Sequence, residues 1–130
     1  MRPGILFFFS LFINKDAYFQ TFASTSRDIQ MSEVIAVVTF ELNNQDLLND
    51  WKDMSAMISA DIAGAEGFIS RDSAQGEDGK VYCILKWASV AHQEAFMAAL
   101  EARDEWAKMM EDFGKIVNLE TMTTEILQVV

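Results

Sequence analysis

Cysteine and histidine each occur once in the 130 residues, as Cys83 and His92. One cysteine cannot close an internal disulfide, and neither a CxxC pair nor an HExxH helix can exist. Nor is there a GxGxxG turn, a P-loop or a GxSxG elbow. Nucleotide cofactors and hydrolytic triads have no footing, and no cofactor or metal is expected. Positive charge is also scarce, with 10 Lys and Arg against 20 Asp and Glu. Residues 1–30 hold three basic and two acidic side chains, so the rest of the chain carries −11. Such a surface repels nucleic-acid phosphates and anionic membranes, and simple solvation is its ordinary role. No apolar run approaches the roughly 20 residues of a membrane span.

What is present is hydrophobic: 51% of the residues are apolar and 23% charged, the balance of a folding chain rather than a disordered one. The length allows one domain. Residues 1–30 read differently from the remainder of the chain. Arg2 precedes an apolar stretch over 5–13, and Thr21-Phe22-Ala23 resembles a weak cleavage site. A secretory signal is one reading and a structural arm another. The third is an upstream extension that is not part of the fold, because Met31-Ser32-Glu33 looks like a normal start. The domain is expected over 32–130. A cytoplasmic location is expected, or export if the first segment is a signal.

Residues 34–42, VIAVVTFEL, are β-branched and apolar on both faces, as in a strand covered on both sides. Asn43-Asn44 offers a helix cap. Leu47, Trp51, Met54, Ile58 and Ile62 then recur at helical spacing, and Gly64 and Gly67 mark the exit and the next turn. Residues 68–73 and 80–87 read as a hairpin whose turn centres on Asp78-Gly79. Ser89 caps a second helix predicted over 90–113. Phe96, Ala99, Leu100, Trp106, Met110 and Phe113 form its buried side, and Gly114 is its stop. The threonine-rich segment 119–130 reads as the last strand. The order βαββαβ implies an α+β domain, a four-stranded antiparallel sheet with two helices on one face. Strands one and three stay apolar on the other face. An uncovered apolar sheet marks an interface, which predicts a homodimer paired through the sheets.

The chain resembles a known family. Ala65-Glu66-Gly67-Phe68-Ile69-Ser70 is similar to the turn into strand two of antibiotic biosynthesis monooxygenase-type domains. Tyr82-Cys83-Ile84-Leu85-Lys86-Trp87-Ala88-Ser89 is similar to the family's third strand, which ends in Trp and then Ser. Val90-Ala91-His92-Gln93-Glu94-Ala95-Phe96 is similar to its second-helix opening. The resemblance covers 33–130. It implies a ferredoxin-like protomer in a dimeric α/β barrel. It also implies a family that includes cofactorless oxygenases of polycyclic phenols, quinol oxidases and haem-degrading enzymes. The haem-degrading branch uses an Asn in strand one, a Trp ending strand three and a His on helix two. Trp87 matches, but 34–42 contains no Asn. His92 comes early, and Met97 stands where the ligand would fall. Two departures in three argue against haem degradation.

Fold does not fix chemistry, so each candidate stands on its own residues. A neutral His92 at a pocket rim could take a phenol or quinol proton before oxygen attacks the anion. The ordinary reading is a polar residue in a helix's first turn. Trp87 ends a strand beside a helix start, a place that often borders a cleft, and is expected to line a substrate pocket, with Arg71 and Tyr82 reaching the same cavity. Trp51 and Trp106 lie on helix stripes, so core packing suits them better. Arg103 is expected to snorkel, or to pair with a carboxylate such as Glu33 or Glu41. Cys83, inside an apolar run, reads as a buried, inert thiol. The eight methionines read as adaptable core. The expected function is a cofactor-independent monooxygenase-like protein acting on an aromatic or quinol-type small molecule. The alternative is a non-catalytic dimeric module that binds a small apolar ligand or a partner chain.

Overall fold

The computed structural model describes residues 32–130, and the segment 1–30, with its signal and extension readings, lies outside the described residues. The chain runs β1 (Val34–Leu42), a short helical turn (Gln45–Leu47), α1 (Leu48–Ile62), β2 (Phe68–Gln75), β3 (Val81–Trp87), α2 (Val90–Glu101), α3 (Trp106–Ile116) and β4 (Val117–Gln128). One antiparallel sheet carries the strands in the order β2-β3-β1-β4. This is the α+β arrangement expected from the pattern, and the ferredoxin-like protomer that the resemblance implies.

Strand alternation sets the layers. Val34, Ala36, Val38, Phe40 and Leu42 of β1 are all buried. Val38, Phe40 and Leu42 meet Trp51, Met110 and Phe113 of the helices, with Val81 and Cys83 from β3 and Val117 and Met122 from β4. Phe40 is edge-on to Trp51 at 4.9 Å, and the Trp51 indole donates to Ser73 Oγ at 3.1 Å. Both groups of the tryptophan, ring and N–H, are thus satisfied inside the core. A second apolar cluster joins Val34, Ile62 and Trp87, with Phe68 and Phe96 against it.

Local signals explain most boundaries. Asn44 Oδ1 accepts from Asp46 N at 2.8 Å and caps the turn that leads into α1. Asn43 does something else: its side chain donates to the carbonyls of Gly114 and Lys115, and its backbone N–H to that of Ile116. These are the acceptors a helix end leaves without partners. In the hairpin, Gly79 holds φ 88°, while Gly76 and Lys80 close the turn at 2.8 Å.

The second helix is where sequence expectation and structure part. It is two helices, α2 and α3, separated at residues 102–105. The apolar positions explain the break. Met97 and Leu100 on α2 and Trp106, Met110 and Phe113 on α3 do not share one 3.6-residue stripe. A continuous helix would present Asp104 where Trp106 now packs. Ala99, expected on the buried side, is exposed for the same reason. Gly114 does not stop α3, which continues to Ile116 and turns directly into β4 at Val117. The last strand therefore begins two residues before its predicted start. Arg103 does pair with a carboxylate, but not with Glu33 or Glu41. Its Nη1 lies 2.9 Å from Asp61 Oδ2 on α1, and Glu33 pairs with Lys86 instead.

The outer face of the sheet carries Ile35, Val37 and Thr39 from β1, Tyr82, Ile84 and Lys86 from β3, and Thr123, Glu125 and Leu127 from β4. Ile84 and Leu127 are 40% and 42% exposed. The Thr39 and Thr123 hydroxyls satisfy one another across the strands. No described helix covers this face.

Candidate functional site: a cavity between sheet and helices

Between the sheet's inner face and the helices lies a cavity of about 470 Å³. Its floor is Ala36, Val38, Phe40, Cys83, Leu85 and Trp87. Its helical wall includes Trp51, Met54, Ile58, Phe96, Met97, Leu100, Trp106 and Met110. α2 packs on β3 and the Trp87 cluster, while α3 runs on into β4 and meets α1 where Phe113 packs against Trp51. Polar groups in the wall are few. Asp61, Arg103, Glu105 and Asp112 are exposed or half-exposed and form a charged rim. Arg71 and the buried amide of Gln93 are the others.

Trp87 lies where its strand-end position suggested, 1% exposed, with Phe68 edge-on and Phe96 tilted, both at 5.6 Å. Arg71 stands on β2, facing α1. Its Nη1 donates to Ser55 Oγ and Ser59 Oγ, both at 2.8 Å, and to Ser55 O at 3.2 Å. Its Nη2 faces Cys83 Sγ at 3.8 Å. The buried Cys83 thiol is pushed up by desolvation, partly offset by the Arg71 charge and the Ser73 hydroxyl. It is a neutral thiol, not a nucleophile, at neutral pH. Trp87 and Arg71 therefore share one cavity.

Tyr82 does not join them. Val81 and Cys83 point inward, so Tyr82, one residue out of step, stands on the outer face opposite Thr39 and Ala74. His92 lies outside the cavity lining. Its Nδ1 is 2.8 Å from Ser89 Oγ, and its Nε2 is 3.5 Å from the exposed Glu66 carboxylate. Ser89 Oγ also accepts from His92 N at 3.2 Å, which makes it the cap of α2. A Ser, a His and a Glu in line suggest a triad, but Ser89 is 2% exposed and spends its oxygen on the cap. Among the described residues no group of three His, Cys, Asp or Glu side chains could hold a metal.

Ser55, Ser59 and Gln93 were not singled out by sequence. The serines are four residues apart on α1 and so share a face, but only the packing of β2 against α1 shows that this face meets Arg71.

No protein-family model and no curated protein matches the sequence. Solved structures do match. A proposed antibiotic biosynthesis monooxygenase from Caulobacter crescentus superposes with a TM-score of 0.64 at 12% identity, over 78% of this chain and 93% of that one. A second, from Nitrosomonas europaea, gives 0.62 at 12%, over 78% and 93%. SnoaB, a cofactor-independent oxygenase from Streptomyces nogalater, gives 0.59 at 17%, over 76% and 94%. This chain has an antibiotic biosynthesis monooxygenase-like fold. At such identities the likeness concerns backbone architecture, and the chemistry rests on the cavity.

Proposed function

We propose that the protein is a cofactor-independent monooxygenase acting on an aromatic or quinol-type small molecule bound in this cavity. The observation that carries the reading is the cavity's construction: about 470 Å³ of aromatic, aliphatic and methionine wall, floored by Trp87. A flat apolar ring fits such a wall, and methionines adapt to its outline. The same fold in SnoaB, a cofactor-independent oxygenase, supports the reaction class. The reaction consumes one dioxygen per phenol. One oxygen atom bonds to a ring carbon, the hydrogen of that carbon and the phenolic O–H hydrogen leave, and the second oxygen departs with them as water, giving the quinone. An apolar cavity favours dioxygen and the aromatic ring over water.

The reading includes a homodimer. Two copies stacked through the outer sheet faces would cover Ile35, Val37, Ile84 and Leu127. Lys86 and Glu125 on the same face could cross-pair between copies.

The test is oxygen uptake with a panel of hydroquinones and naphthols, with products identified by mass spectrometry. Stoichiometric uptake and a quinone carrying one oxygen from ¹⁸O₂ are expected. No uptake, with an aromatic ligand bound tightly, would make the protein a binding module instead.

A further inference from the structure

We infer that Arg71 is an oxyanion anchor, so that the ligand of this cavity is an aromatic carboxylate rather than a neutral ring. The inference rests on the cavity being the ligand site of the reading above. It does not depend on turnover.

Four observations lead to it. First, charge: the domain is strongly acidic, yet among the described residues no carboxylate lies within ion-pair distance of Arg71. Arg103, Lys86, Lys108 and Lys115 all have such partners. Second, setting: Arg71 is half-buried and held by neutral oxygens, those of Ser55 and Ser59. Neutral acceptors replace water's hydrogen bonds but leave the charge without its opposite, a costly state in a low-dielectric wall.

Third, direction. The guanidinium stands between two spaces. Ser55 and Ser59 line a separate, more polar groove along α1 and β2, and they take Nη1. Cys83 lines the apolar cavity and meets Nη2 at 3.8 Å, a weak contact. The tied end therefore faces the groove, and the end with donors to spare faces the cavity. Fourth, shape. A planar fork with one nitrogen anchored keeps little rotational freedom, and its remaining edge matches the two oxygens of a carboxylate. The acidic rim of Asp61, Glu105 and Asp112 leaves Arg71 as the cationic wall residue without an ion-pair partner.

Anilinonaphthalenesulfonate and phenylnaphthylamine, the same rings with and without a fixed anion, are the probes for a fluorescence titration. The protein is expected to bind the sulfonate at least tenfold more tightly. Arg71→Gln should remove that preference while leaving phenylnaphthylamine affinity within twofold, and Arg71→Lys should restore part of it. Equal loss for both probes would mean that Arg71 only holds the wall together, and would overturn the proposal. So would equal affinity in the unaltered protein. If Arg71→Gln fails to fold, competition on the unaltered protein decides. Naphthoate should displace the sulfonate probe at a tenth or less of the concentration that naphthalenemethanol requires, and parity would sink the idea. Anion-selective binding without oxygen uptake leaves this inference standing and removes the oxygenase. Oxygen uptake without anion selectivity does the reverse.

Discussion

Gly67 holds φ 81°, and a Cβ built there would fall 2.1 Å from His92 Cγ. Two separate costs are joined at this residue. A side chain in the left-handed region costs about 1–3 kcal/mol, and the imidazole packed over the turn must also move. Gly67→Ala should therefore lower the melting temperature, and by less in a His92→Ala background, because the clash with the ring is removed while the backbone cost and the contact with the Cβ of residue 92, 2.5 Å away, remain. Equal losses in both backgrounds would show that the ring does not press on the turn. His92→Ala alone is expected to lower the melting temperature slightly, through the lost contact with Ser89, and to leave oxygen uptake within twofold. Abolished uptake at an unchanged melting temperature would instead make His92 the base. Cys83 carries a pH prediction. Burial raises its ionisation above that of the unfolded thiol, so the folded state holds the proton longer. Stability is then fully present below the ordinary thiol range and declines as pH rises through and beyond it. The urea midpoint should fall with alkaline pH in the unaltered protein and fall less in Cys83→Ala.

Among the elements, the joint between α3 and β4 hangs on a residue from the far side of β1. Asn43 supplies three hydrogen bonds to the last carbonyls of α3, two from its side chain. At about 1 kcal/mol each, Asn43→Ala should cost about 1–2 kcal/mol, read as a shift in the denaturant midpoint with unchanged slope. No shift would mean that water replaces the amide at no cost. The break between α2 and α3 shows how far local patterns reach. Residues 90–101 and 106–116 are each helical, but their apolar stripes are out of phase. The phase slip between Leu100 and Trp106 was present in the sequence, but its consequence, two helices leaning on different strands, depends on where β3 and β4 stand. The cavity is lined from the sheet and from all three helices, so neither its volume nor its wall could be read from the helix pattern alone.

For the whole molecule, the sheet has one face under helices and one face that no described element covers. Ile84→Lys adds a charge to the middle of that open face, where a monomer would solvate it. Sedimentation is expected to give twice the chain mass for the unaltered protein and the single mass for this variant, with a largely preserved melting curve at high dilution. An unaltered protein that sediments as a monomer would remove the paired-sheet reading. The sheet order β2-β3-β1-β4 and the choice of which β1 face is buried came from long-range pairing. The element order, the turn at Gly79 and the cap at Ser89 were legible beforehand, because each depends on residues close together in the chain. So was Trp87 as a wall residue, since a strand end beside a helix start has few other places to point. Tyr82 shows the limit of that reading: alternation sends it to the opposite face from Trp87, a fact that turns on strand register. Arg71 with Ser55 and Ser59, and Arg103 with Asp61 42 residues away, were decided only when the helical layer settled on the sheet. Periodicity specifies what each element must bury. The stacking of layers determines which side chains are left facing the same space, and that is where the candidate chemistry of this protein lies.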